Sequence, residues 1–231
     1  MPIAVTSFGP SGWDSYARAG IETFVKFWPG KVVVYYEETP PEFIENPACE
    51  FRDLFHDEQL LSVLRWCKAN PVLQGRMPSG YSYNFDIFKF CRKVFALADA
   101  ALREKDLVFW LDADSRLLKP ITTEFLEGLL ADVYCGFMGR KGYHIESSIV
   151  GVDTRHEINE RFMQRYRQLY ETGEILWVKG WHDCWAFMSV CAQLNVQTRN
   201  WTPDAEGTCD PIKLGPWAGM VTHLKGPRKH K

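Results

Sequence analysis

Apolar residues in this chain follow two rhythms. Compact runs rich in β-branched and aromatic residues, at 3–7, Lys31–Tyr36, Leu107–Leu111, 133–138 and 148–152, read as strands. Between them, apolar positions three and four apart predict helices. Trp13, Ala17, Gly20, Phe24 and Phe27 make one such stripe, stopped by Pro29-Gly30, and Ser11 with Asp14 has the spacing of a capping box at its start. A short strand at 51–55 precedes Asp57, which is placed to cap a helix reaching about Lys68. The 70–83 stretch holds Pro71, Gly75, Pro78 and Gly80 and reads as a loop. A long helix then starts near Asn84, with Phe85, Phe88, Cys91, Phe95, Ala98 and Leu102 as its stripe. Lys89, Arg92 and Lys93 lie off that stripe; Lys93 reads as part of a solvated cationic face, while Lys89 borders the apolar edge. Further helices are predicted from Thr122 or Thr123 to Leu130, over 155–171, and from Trp181-His182-Asp183 onward. Residues 202–219, with three prolines and three glycines, read as a lid-like loop.

Strand and helix alternate in the first half and hairpin-like strands enter the second, which predicts an α/β fold with a Rossmann-like mixed sheet flanked by helices. At 231 residues and 46% hydrophobic content, one domain spanning 1–231 is the expectation. Charge adds little: 27 Lys+Arg against 29 Asp+Glu give a net −2, no global field for gripping a polyanion. Seven scattered cysteines without a C-x-x-C pair suggest reduced thiols. No basic n-region opens the chain and no run approaches the ~18 apolar residues of a membrane span, so the expectation is a soluble cytoplasmic protein.

Candidate chemistry starts at Trp110-Leu-Asp-Ala-Asp114. A doubly buried strand that ends in two carboxylates one residue apart delivers charge to the edge of a sheet, where open α/β sheets bind ligands. For an isolated D-x-D, turn capping is the competing explanation. Other motifs are missing: Phe8-Gly9-Pro10-Ser11-Gly12 is not a dinucleotide loop, and neither a Walker lysine loop nor G-x-S-x-G occurs.

With the double-aspartate strand set beside its neighbours, the chain resembles the GT-A class of nucleotide-sugar-dependent glycosyltransferases. Residues 3–6 match the opening strand that meets the nucleotide base, 85–101 the helix whose Lys or Arg reaches the donor, and 110–114 the D-x-D strand. Trp181-His-Asp183 is similar to the helix-opening acidic motif that meets the acceptor, and His223-Leu-Lys-Gly226 to the late histidine and lysine that close over the diphosphate. The resemblance implies a single GT-A-like domain, with 1–116 binding the nucleotide-sugar and 117–231 binding the acceptor and closing the site. It implies Asp112, Asp114 and His223 as ligands of Mn²⁺ or Mg²⁺, with Asp114 the direct one and Asp112 facing either the ribose or the metal through water. Thr6, Lys89, Arg92, Asp112 and Lys225 would contact the donor, and Asp183, or alternatively Glu146, would be the base or acceptor-binding group. Where some retaining relatives carry a Glu after the helix Asp, this chain has Cys184.

Those residue types suit the reaction. A departing diphosphate gathers negative charge that a hard divalent cation, held by oxygen ligands, stabilises, and fixed lysines add to this in the transition state. The expectation is therefore an enzyme, a glycosyltransferase using a nucleotide-sugar, UDP-linked, and a hydroxyl acceptor. The acceptor class is open among glycans, small molecules, proteins and modified nucleic acid; for the last, Arg140, Lys141, Arg228, Lys229 and Lys231 offer a local phosphate-contacting rim. A nucleotidyltransferase and a non-catalytic nucleotide-sugar binder are the alternatives.

Overall fold

A computed structural model describes residues 1–38 and 44–224. In chain order the elements are β1 (Ile3–Phe8), α1 (Arg18–Phe27), β2 (Lys31–Tyr36), β3 (Cys49–Asp53), α2 (Glu58–Ala69), β4 (Gln74–Met77), β5 (Gly80–Asp86), α3 (Ile87–Arg103), β6 (Leu107–Leu111), β7 (Ser115–Leu117), α4 (Thr123–Leu130), β8 (Cys135–Met138), β9 (Glu146–Asp153), α5 (Asn159–Glu171), α6 (Asp183–Gln193), β10 (Thr198–Asn200) and β11 (Val221–His223). Seven strands form one sheet in the order β10-β8-β9-β6-β1-β2-β3. β6, β1, β2 and β3 run parallel, β9 lies antiparallel between β6 and β8, and β10 pairs parallel with β8. The fold is thus the expected α/β arrangement, a mostly parallel mixed sheet between helices.

Alternation along the strands divides the core in two. Ile3, Val5, Val33, Tyr35, Val108 and Trp110 face the layer of α2, α3, α5 and α6. Ala4, Val32, Val34, Leu107, Phe109 and Leu111 face the layer of α1 and α4. β6 is buried along its whole length, as its unbroken apolar run requires.

The helix starts follow local chemistry. The Asp57 carboxylate accepts from the Gln59 and Leu60 amides, and Thr122 Oγ1 accepts from Phe125 N, so both predicted caps form. The Ser11–Asp14 capping box does not form; the chain enters α1 through a π-helical turn, Trp13–Ala17, with no side-chain cap. Residues 70–83 are not simply a loop either, since 74–86 folds into the β4–β5 hairpin, with Gly75 at φ +68° beside a bulge. The proline- and glycine-rich 202–219 segment is anchored rather than free: Trp217 is fully buried, and its ring meets Phe109 at 6.2 Å and Phe125 at 5.1 Å. None of the helices among the described residues is long and apolar enough to cross a membrane.

Candidate active site

The chain leaves β1 to pair β2 on one side, then returns through α2 and α3 to place β6 on the other side of β1. Loops diverge at such a switch point and leave a crevice beyond the strand carboxyl ends. Here the crevice is a cavity of about 880 Å³, lined by Ser7 and Phe8 at the end of β1 and Gly9 just after it, Glu37 after β2, and Asp112, Ala113 and Asp114 after β6. Because β9 is antiparallel, its first residues, Glu146 and Ser147, lie at the same edge.

The D-x-D turn is held from several sides. Asp112 N donates to Ser148 O at 2.9 Å, Ser115 N to Asp112 O at 2.9 Å, and Leu117 N to Thr23 Oγ1 of α1 at 3.0 Å. Beyond the turn, β7 pairs antiparallel with β11 in a register that sets His223 opposite Ser115, and Leu224 N donates to Asp114 O at 3.0 Å. The histidine from the far end of the chain thereby reaches the aspartates: His223 Nε2 lies 3.0 Å from Asp114 Oδ1 and 3.7 Å from Asp112 Oδ2. One ligand atom from each of the three residues lies within 4.8 Å of the others. Burial opposes a charge on His223, but the hydrogen bond to Asp114 and the two carboxylates raise its pKa overall. Two carboxylates and an imidazole fit a Mn²⁺-type ion.

Lys93 sits at the centre of the site, which its sequence position did not suggest. Its ammonium is 3.0 Å from Asp112 Oδ1 and 3.0 Å from Asp183 Oδ2, and donates to Ser147 O at 2.5 Å and Ser147 Oγ at 3.0 Å. Trp110 Nε1 also donates to Asp112 Oδ1, at 2.6 Å. Against the cost of burial, the charges of Lys93 and His223 hold the Asp112 carboxyl down to about 2. The same two acids raise the Lys93 pKa despite its burial. A solvated face was the wrong reading because α3 is apolar nearly all round, with Val94, Phe95, Ala96, Leu97 and Ala98 all buried. That continuous run directly after Lys93 was the available signal.

The remaining predicted residues divide. Asp183 lines the cavity and is 1% exposed; the N-cap of α6 is His182, so the Asp183 carboxylate serves Lys93 rather than capping. Glu146 also lines the cavity, and its carboxylate accepts from Ser148 N at 3.3 Å. Arg92 reaches the cavity through the buried Glu37, Nε to Oε2 at 2.9 Å, with its guanidinium over the Phe88 ring. Lys89 is exposed at the cavity wall, its ammonium 5.3 Å from the centre of the Phe90 ring. Thr6 is fully buried beneath the crevice, and Ser7 is the β1 hydroxyl that lines it. Lys225 lies outside the described residues, as do Arg228, Lys229 and Lys231 of the suggested basic rim; Lys141 is shared with Asp204 and Glu206 at 4.0 and 3.7 Å.

Sequence reasoning passed over the wall beside Asp183. His144 packs edge-on against His182, ring centres 4.6 Å apart, with Tyr83 and Tyr143 close by. Burial lowers the pKa of both imidazoles, that of His182 to about 4, so both are neutral at neutral pH.

No family model matches the sequence, and no curated protein matches it. Solved structures with a similar chain course include the glycosyltransferase GlyE of Streptococcus pneumoniae TIGR4, with 12% identity over 87% of this chain and 45% of that one and a TM-score of 0.48. The apo form of the same protein is similar too, at 14% identity over 85% of this chain and 44% of that one, TM-score 0.47. This chain therefore spans less than half the length of either.

Proposed function

We propose that the chain is a metal-dependent glycosyltransferase that moves a sugar from a nucleotide-sugar, UDP-linked, to a hydroxyl acceptor. The observation that carries this reading is the meeting of three separate stretches at one crevice: Asp112 and Asp114 after β6, His223 from β11, and Asp183 opening α6, joined through Lys93. Asp112, Asp114 and His223 would hold Mn²⁺ or Mg²⁺, which when bound neutralises the charge that collects on the departing diphosphate.

The protein's own groups account for the other requirements. Phe8, Gly9, Glu37 and Arg92 line the β1–β2 end, where they would meet a planar base with hydrogen-bonding edges. Lys89 at the wall offers a cation to the diphosphate. In an inverting transfer, Asp183 takes the acceptor hydroxyl proton, the oxygen forms its bond to the anomeric carbon, and the bond from that carbon to the phosphate oxygen breaks. Lys93 fixes the Asp183 carboxylate at 3.0 Å and so orients it. Glu146, which lines the same cavity, would bind the acceptor. Glycans, small molecules, proteins and modified bases all present hydroxyls of the required kind.

Incubation with a panel of nucleotide-sugars and Mn²⁺ tests the reading through release of nucleoside diphosphate. Release is expected, and Asp183→Asn should lower kcat by about 10²–10⁴-fold with little change in donor KM. Release of pyrophosphate from nucleoside triphosphates, with no diphosphate from any sugar nucleotide, would establish a nucleotidyltransferase instead.

A further inference from the structure

The wall behind Asp183 holds two buried imidazole nitrogens that lack a partner. Nε2 of His182, a residue 1% exposed, makes no hydrogen bond, and neither does the buried Nε2 of His144. Buried polar atoms are nearly always satisfied, so a pair of orphans on adjacent rings, centres 4.6 Å apart, points to a missing partner. A thiol completes the set. Cys184, buried in the first turn of α6, lies with His144 and His182 so that one ligand atom from each falls within 4.8 Å of the others.

We propose that His144, His182 and Cys184 form a second metal site, selective for a soft divalent ion of the Zn²⁺ type and separate from the carboxylate site at the D-x-D turn. The donor chemistry differs between the two. Asp112, Asp114 and His223 supply mainly hard oxygens, whereas two imidazoles and a thiolate are the ligands that Zn²⁺ prefers to Mg²⁺ or Mn²⁺. Zn–N bonds of ~2.0–2.1 Å and a Zn–S bond of ~2.3 Å require the donors to close inward slightly from their present spacing. Cys184 binds as the thiolate and its proton passes to solvent; both histidines bind neutral. Support for one ring is already present, since His144 Nδ1 lies 2.8 Å from Ile145 O, and a proton placed there leaves the Nε2 lone pair for the metal. Arg140 Nη2, 3.0 Å from the same Nδ1, competes for it and also reaches Ile145 O at 3.2 Å.

Such an ion has a structural consequence. It ties the loop before β9, which carries His144, to the residues on either side of Asp183, and so fixes the start of α6 at the cavity wall.

The test is titration of metal-free, reduced protein with Co²⁺ as the spectroscopic stand-in for Zn²⁺. The expected result is a sulfur-to-cobalt charge-transfer band that Zn²⁺ abolishes and excess Mg²⁺ does not. The band should persist in Asp114→Asn, vanish in Cys184→Ser, and need much more Co²⁺ in His144→Ala, beyond the roughly tenfold that losing a supporting partner costs. Because His144 is on a half-buried loop, His144→Ala keeps the test available if Cys184→Ser does not fold. A band that survives in Cys184→Ser would place the metal on another cysteine, and absence of any band would mean that these three residues hold no metal through Cys184. Either result overturns the proposal. Neither bears on glycosyl transfer, which is read by nucleoside diphosphate release.

Discussion

Lys93 balances two acids at once, Asp112 and Asp183, each at 3.0 Å. A cation in that position does more than neutralise: it sets the distance between the metal-holding turn and the candidate base. Removing one partner of a buried ion pair leaves the other charge uncompensated. Lys93→Met should therefore destabilise the fold by about 3 kcal/mol in urea unfolding. A loss below about 1 kcal/mol, the range of exposed pairs, would show that the lysine carries no such burden. The D-x-D acids were legible in the sequence only through their context, because turn capping explains an isolated D-x-D equally well. The lysine was not, because a stripe drawn at helical spacing treats every residue off it as solvated, and α3 has almost no solvated side.

At the scale of elements, α1 crosses directly against the D-x-D turn, and Gly20 is what allows this. A β-carbon at Gly20 would lie 2.4 Å from Ala113 O and 2.8 Å from Ser115 O, both backbone atoms. Gly→Ala inside a helix ordinarily gains about 1 kcal/mol. Here Gly20→Ala should instead cost about 1–3 kcal/mol through overpacking, and weaken Mn²⁺ binding as the turn shifts. A stabilised variant with unchanged Mn²⁺ affinity would contradict the close crossing. A second contact between elements predicts a pH effect. Arg52 of β3 donates to Glu50 Oε1 at 2.6 Å and to Glu104 Oε1, after α3, at 2.7 Å, and Lys31 of β2 pairs with both acids. Arg52 first, then Lys31, depress the Glu50 pKa from its ordinary 4.5 to about 2, and that of Glu104 is lowered against burial. Folded values below unfolded ones mean the stabilisation is present above about pH 4.5 and is lost as pH falls toward 2. The Tm gap between the wild-type chain and Arg52→Met should accordingly be largest near neutral pH and shrink below pH ~4.5; a gap independent of pH would exclude the linkage. Strands and capped helices were largely readable at this scale. The β4–β5 hairpin was not, because Gly75, Pro78 and Gly80 signal a loop more loudly than Tyr81, Tyr83 and Phe85, at alternate positions, signal a strand.

Across the whole molecule, function depends on residues far apart in sequence that the sheet order brings to one edge. Alternating elements predicted a mixed α/β sheet, yet no local pattern could say that β6 returns beside β1, or that β11 pairs with β7 and carries His223 to Asp114. Long-range pairing of this kind is set by tertiary packing. The same pairing anchors 202–219, since Trp217 seals into the core just before β11. The most direct measurement of the central claim is thermal unfolding with UDP or a UDP-sugar, with and without Mn²⁺. The account predicts a rise in Tm that requires the metal and the nucleotide together and is lost in Asp114→Asn. At a ligand concentration 100 times Kd, the stabilisation is about 2.7 kcal/mol. A shift that ignores Mn²⁺, or one that Asp114→Asn leaves intact, would contradict the assignment of this crevice as a metal–diphosphate site.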